Sequence, residues 1–118
     1  MKIKSLTIYC SSSSNLDPEF YDLAREIGDF LGQKKISIIY GGGNTGLMGK
    51  ISNAALNKGS AVIGIIPKFL IKEENLNQNI SETIVVKCMS ERKKILFEKG
   101  DAYLILPGGS GTIEEATE

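Results

Sequence analysis

Two glycine-rich runs carry the chemistry that this sequence could perform. Gly41-Gly42-Gly43-Asn44-Thr45-Gly46 follows the apolar run Ile36 to Tyr40, and Pro107-Gly108-Gly109-Ser110-Gly111-Thr112 follows Ala102 to Leu106. Between a strand and a helix, glycines let backbone N–H groups approach an anion, and the helix N-terminus adds a favourable dipole. One such run reads equally well as a tight turn with positive-φ positions. Two of them at strand ends favour a phosphate-bearing ligand, because ligands of open α/β sheets bind beyond the carboxyl ends of the strands. Gly41, Gly43 and Gly46 match G-x-G-x-x-G, but Ile65, Ile66, Pro67 and Lys68 stand where a dinucleotide site needs an acidic residue. Leu47 and Met48 stand where a nucleoside triphosphate loop needs Lys and Ser or Thr. Both of those readings fall.

The remaining inventory is narrow. The chain has no histidine, so any catalysis must use Glu, Asp, Lys, Arg, Tyr or Cys. Cys10 and Cys88 form no C-x-x-C pair and read as reduced thiols. By position alone, Glu115 is an acid favoured by a helix start, and Arg92 is a solvated arginine in the charged run Glu91 to Lys94.

These residues need a scaffold, and the pattern supplies one. Leu6 to Cys10 reads as a first strand, with Ser11 to Asn15 as its exit loop. Asp17 as N-cap and Pro18 at the first helical position open a helix that buries Phe20, Leu23, Ala24, Ile27, Phe30 and Leu31 and ends at Gly32. Ile36 to Tyr40 is a second, almost wholly apolar strand. A helix from Gly46 buries Leu47, Met48, Ile51, Ala54 and Ala55 and stops at Gly59, which suits a left-handed C′ position. Ala61 to Ile66 is a third strand, ended by Pro67. Lys68 to Ser81 reads as a short helix and a mobile loop, and Thr83 to Val86 as a strand at the edge or inside the sheet. Ser90 can cap a helix running to Gly100, and Ala102 to Leu106 is the last strand. Alternating strands and helices predict an α/β, Rossmann-like open and mostly parallel sheet with helices on both faces.

The 118 residues suit a single domain, 1–118. A helix starting at Ile113 has too few residues before Glu118 to cover a sheet, so the domain is expected to be truncated at its C-terminal end. Fourteen basic and fourteen acidic residues cancel, which argues against nucleic acid and membrane surfaces as partners. No apolar run approaches the roughly 20 residues that span a bilayer, and the N-terminus lacks a signal-peptide pattern, so a cytoplasmic protein is expected.

Gly41 to Gly49, Met89-Ser90-Glu91-Arg92-Lys93 and Pro107 to Glu115 resemble, in order, three motifs of the Lonely Guy family. The likeness covers nearly the whole chain, with Ser11 standing where the family usually has Gly. It implies hydrolysis of the N-glycosidic bond of a cytokinin or adenine riboside 5′-monophosphate, giving free base and ribose 5-phosphate. It implies Arg92 and Glu115 as catalytic residues, the carboxylate serving an oxocarbenium-like sugar. It places Gly109, Ser110, Gly111 and Thr112 on the 5′-phosphate, Gly43, Asn44 and Thr45 on the adjacent wall, and Glu74 and Lys93 against the ligand. For Glu74, Glu73 or plain solvation explains the sequence equally well, and for Lys93 a solvated helix face reads nearly as well. The resemblance implies a homodimer, no cofactor and no metal. Family members also carry the label lysine decarboxylase, but pyridoxal phosphate chemistry needs a constellation that is not readable in this chain. The reading from another class is a non-catalytic nucleotide carrier on the same fold.

Overall fold

Runs such as Ile38 to Tyr40 and Val62 to Pro67 are apolar at successive positions, and strands of that kind are buried on both faces only inside a parallel sheet. The computed structural model, which describes residues 3–9, 18–43, 46–71 and 79–105, shows such a sheet. Its elements are β1 (Ser5–Tyr9), α1 (Pro18–Gln33), β2 (Ser37–Tyr40), α2 (Gly46–Asn57), β3 (Val62–Pro67), a 3₁₀ turn (Lys68–Leu70), β4 (Glu82–Val86), α3 (Met89–Lys99) and β5 (Ala102–Ile105). The strands lie in the order β4-β3-β2-β1-β5, and every pairing among them is parallel. The fold is the expected α/β, Rossmann-like sheet, and β4 is an edge strand.

The order explains which face each helix covers. From β1 to β3 the chain steps in one direction across the sheet, and α1 and α2 cover one face: Ala24, Leu31, Leu47, Met48, Ile51 and Ala55 pack on Ile8, Ile38, Tyr40 and Val62. The step from β4 to β5 runs the other way, and a right-handed crossover in that direction must lay its helix on the opposite face. There Leu96 of α3 packs against Tyr9, Ile39, Ile65 and Val86.

Three local expectations change. Leu23 and Phe30 are exposed and not part of the buried stripe of α1, which meets α2 closely at Gly28 and Gly32. A Cβ at Gly28 would overlap the Ile51 carbonyl oxygen and stand 2.7 Å from the Ala54 Cβ. Ser90 does not cap α3. It is an exposed residue inside the helix, and Cys88, extended at φ −154° and ψ 171°, holds the cap position without a side-chain bond. The Glu91 carboxylate instead accepts from the Lys87 N–H at 3.2 Å, one residue ahead of the cap position. Finally, β3 runs through Pro67 as its last residue and does not stop short of it. Gly59, at φ +92°, takes the left-handed turn after α2 as expected. Asp17, Cys10, the Ser11 to Asn15 loop and most of the segment after Leu70 lie outside the described residues.

Candidate functional site

Helix α3 returns the chain from β4 to β5, so its first turn must stand at the carboxyl edge of the sheet. The contacts trace this direction. Lys99 O near its end accepts from Ser5 Oγ at the start of β1, Leu96 O accepts from Thr7 Oγ1 at 2.7 Å, and Arg92 reaches the ends of β2 and β3. Arg92 is 8% exposed, which overturns its reading as a solvated helix-face arginine. Its Nε donates to the Ile65 carbonyl at 2.9 Å, its Nη2 donates to the Gly41 carbonyl at 2.8 Å, and its Nη1 lies 3.8 Å from Met89 Sδ. A planar guanidinium offers donors in a fixed fork, so bonds to two separate strand ends define its plane as well as its place. A lysine ammonium could not reproduce that.

The glycine loop after β2 is gripped from both faces of the sheet. From the α3 face, Arg92 takes the Gly41 carbonyl. From the other face, Tyr40, buried under α2, donates its hydroxyl to the Gly43 carbonyl at 2.8 Å. Between these anchors Gly42 sits at φ +90°, where an L side chain is strained. Its Cα packs so closely on β3 that a Cβ at Gly64 would stand 2.7 Å from it. The two outer carbonyls are thus turned onto side chains of the protein body, a geometry suited to an anion that would be repelled by outward-facing carbonyl dipoles.

The strand order also locates the crevice. The direction of winding reverses between β1 and β5, and ligands of open α/β sheets bind beyond the carboxyl ends of the strands at such a switch. Tyr9 and Ile105 pair at that edge, one sheet position from β2 and its glycine loop.

Of the residues singled out from sequence, the structure brings Gly43 and Arg92 to one edge through the Gly41 carbonyl. Lys93 is half-buried on α3, one position along from Arg92, and makes a contact of its own. Glu74, Asn44, Thr45, Gly109, Ser110, Gly111, Thr112 and Glu115 lie outside the described residues. Sequence reasoning missed Tyr40 and Gly64 as parts of the loop's support. A tyrosine closing an apolar strand directly before a glycine run is a signal for the first, whereas nothing in the sequence marks the Ile65 carbonyl. Among the described residues, no group of three or more His, Cys, Asp or Glu could hold a metal ion. No described helix is long and apolar enough to cross a membrane.

Comparison with known proteins adds four findings. Residues 48–118 match a family model described as possible lysine decarboxylase. The chain is 41% identical over 117 residues to the cytokinin riboside 5′-monophosphate phosphoribohydrolase LOG1 of Arabidopsis thaliana, covering 99% of this chain and 55% of that protein. It is 39% identical over 116 residues to the cytokinin riboside 5′-monophosphate phosphoribohydrolase of Rhodococcoides fascians, covering 98% of this chain and 59% of that one. The chain therefore spans little more than half the length of these relatives. Among solved structures, the molybdenum cofactor carrier protein of Chlamydomonas reinhardtii shares the fold, with a TM-score of 0.81 at 18% identity over 98% of this chain and 70% of that one.

Proposed function

The chain belongs to the Lonely Guy family, and from that premise we propose that it is a phosphoribohydrolase that splits a cytokinin or adenine riboside 5′-monophosphate into free base and ribose 5-phosphate. In this reaction the bond between the base nitrogen and C1′ breaks with its electron pair going to the base. Water delivers hydroxide to C1′ and a proton to the base. Positive charge on the sugar calls for a carboxylate beside C1′, the role of Glu115. Arg92 is the second catalytic residue, its fork held at the carboxyl edge where the ligand's charge lies. Gly109, Ser110, Gly111 and Thr112 hold the 5′-phosphate, Gly43, Asn44 and Thr45 form the adjacent wall, and Lys93 and Glu74 complete the ligand contacts. The protein acts as a cytoplasmic homodimer, and residues 1–118 belong to one nucleotide-binding domain.

The observation that carries this reading is the guanidinium of Arg92. A buried cation on the helix of the second motif is fixed by strand-end carbonyls beside the glycine loop of the first. The test is release of free base and ribose 5-phosphate from AMP and from isopentenyl-AMP. Release is expected, and the Glu115→Gln variant should lower turnover by roughly 10²–10⁴ while nucleotide still binds. Tight binding without release would overturn the hydrolase and leave a carrier of nucleotide-like ligands.

A further inference from the structure

The glycine run after β2 has two ordinary explanations, backbone turns and anion approach, and neither accounts for its first member. Gly41 is not among the residues with positive φ, so its backbone is open to alanine. What a side chain there would meet is the guanidinium. A Cβ at Gly41 would overlap Arg92 Nη2 and stand 3.2 Å from Cζ and 3.6 Å from Nε, and these are the three nearest atoms to it. The same Nη2 donates to the Gly41 carbonyl, so the residue accepts the fork's hydrogen bond and leaves the space that the fork fills. We propose that Gly41 is a positioning residue for Arg92: its missing Cβ is the seat of the guanidinium, and any larger residue there acts on the site by displacing that group.

The consequences differ from those of a turn glycine. The atom in conflict is the far end of a long, flexible side chain, so the Arg92 head can swing aside while the backbone stays. Displacement gives up the Gly41 bond and turns the plane of the fork away from the direction set by Ile65. A shift of about 1 Å in a group that orients substrate is enough to cost on the order of 100-fold in rate.

The experiment is a double-variant cycle in the full chain, with Gly41→Ala, Arg92→Met and the pair, read by thermal melting and by kinetics. Gly41→Ala is expected to lower the melting temperature in the wild-type background and to leave it unchanged in the Arg92→Met background, where no fork remains to be displaced. Equal loss in both backgrounds would show that the Cβ meets something else and would overturn the proposal. If Gly41→Ala alone does not fold, folding of the paired variant supports the seat and its failure to fold refutes it. Arg92→Lys, which keeps charge and stem without the fork, serves as the background if Arg92→Met does not fold. The kinetic arm rests on the phosphoribohydrolase reading. There Gly41→Ala should lower kcat/KM by on the order of 10- to 100-fold. That loss should fall on whichever of kcat and KM responds to Arg92→Met and should vanish in the Arg92→Met background. A loss on the other parameter would overturn the seat, whereas absence of base release by the wild-type chain would overturn only the hydrolase reading, since the melting cycle needs no substrate.

Discussion

The two faces of the sheet are closed in different ways. Under α1 and α2 the closure is one of shape. Ile8, Ile38, Tyr40 and Val62 meet Leu31, Leu47, Ile51 and Ala55, and glycines at 28 and 32 let the two helices come within backbone contact. Under α3 a smaller apolar cluster around Leu96 is joined by hydrogen bonds to backbone. Leu96 is the helix's only fully buried apolar side chain among the described residues, and its other buried residue is Arg92. Thr7 ties the Leu96 carbonyl, and Arg92 ties strands β2 and β3. Toward β5, no described residue buries Phe97 or Ile105, which are 65% and 56% exposed. Apolar packing is non-directional and tolerates small adjustments of angle, whereas a fork bonded to two strand ends does not. The first face supplies stability, and the second sets the orientation of a charged group at the edge where a ligand would lie.

That contrast predicts unequal responses to small changes. The largest should come from Gly28→Ala. In an exposed helix the exchange would gain about 1 kcal/mol of helix propensity. Here the added methyl meets the Ile51 carbonyl and the Ala54 Cβ, so α1 must lift from α2. Overpacking of this kind costs about 1–3 kcal/mol, and a net loss of stability is expected in chemical denaturation. A gain in stability would show that the α1/α2 contact is loose and would erase the distinction between the faces.

The intermediate response belongs to the α3 face. Phe97 stacks on Tyr103 with ring centroids 5.4 Å apart, and the Tyr103 hydroxyl donates to the Phe97 carbonyl, yet Phe97 stays open to water. Stacked pairs contribute about 0.5–1.5 kcal/mol when well buried, so Phe97→Ala should cost at most about 1 kcal/mol. A loss as large as that of Gly28→Ala would mean that this face carries as much of the stability as the other.

The same contrast explains what could be read from sequence. The α1/α2 face was legible because its residues recur at strand and helix periods, and Gly59 announced the end of α2. Leu23 and Phe30 were misjudged because periodicity finds an apolar stripe without finding its width, and the contact ran through Gly28 and Gly32, which hydropathy does not count. For Arg92, position alone errs in the opposite sense. Its neighbours Glu91, Lys93 and Lys94 suggest a solvated face, and its burial depends on the carbonyls of Gly41 and Ile65, which carry no signature in the residue types. The motif resemblance singled Arg92 out, but the bonds that fix it are long-range, as is the strand order that makes β4 an edge and puts the switch between β1 and β5. Glu115 and the second glycine run remain proposals from the motif, since they fall outside the described residues.

The smallest response should come from the edge of the sheet opposite the site. Asp101, just before β5, accepts from the backbone N–H groups of Lys4 at 2.8 Å and Ser5 at 3.1 Å and so joins the starts of β1 and β5. The Lys4 N–H first and the Ser5 N–H second hold the Asp101 carboxyl below the usual carboxylate range. A carboxyl whose value is lowered on folding stabilises the fold above its unfolded pKa and loses that contribution as pH falls through the folded one. The group is fully exposed, so water screens the effect. Asp101→Asn should therefore lower the melting temperature slightly at neutral pH, and the gap from the wild-type chain should close as the solution is acidified below the carboxylate range. A gap that persisted unchanged in acid would show that the residue acts through the shape of its hydrogen bonds and not through its charge. Because β1 and β5 also bound the switch at the far edge, base release measured on the same variant separates holding the strands together from arranging the site. An unchanged rate would leave the orientation of the site to the α3 face alone.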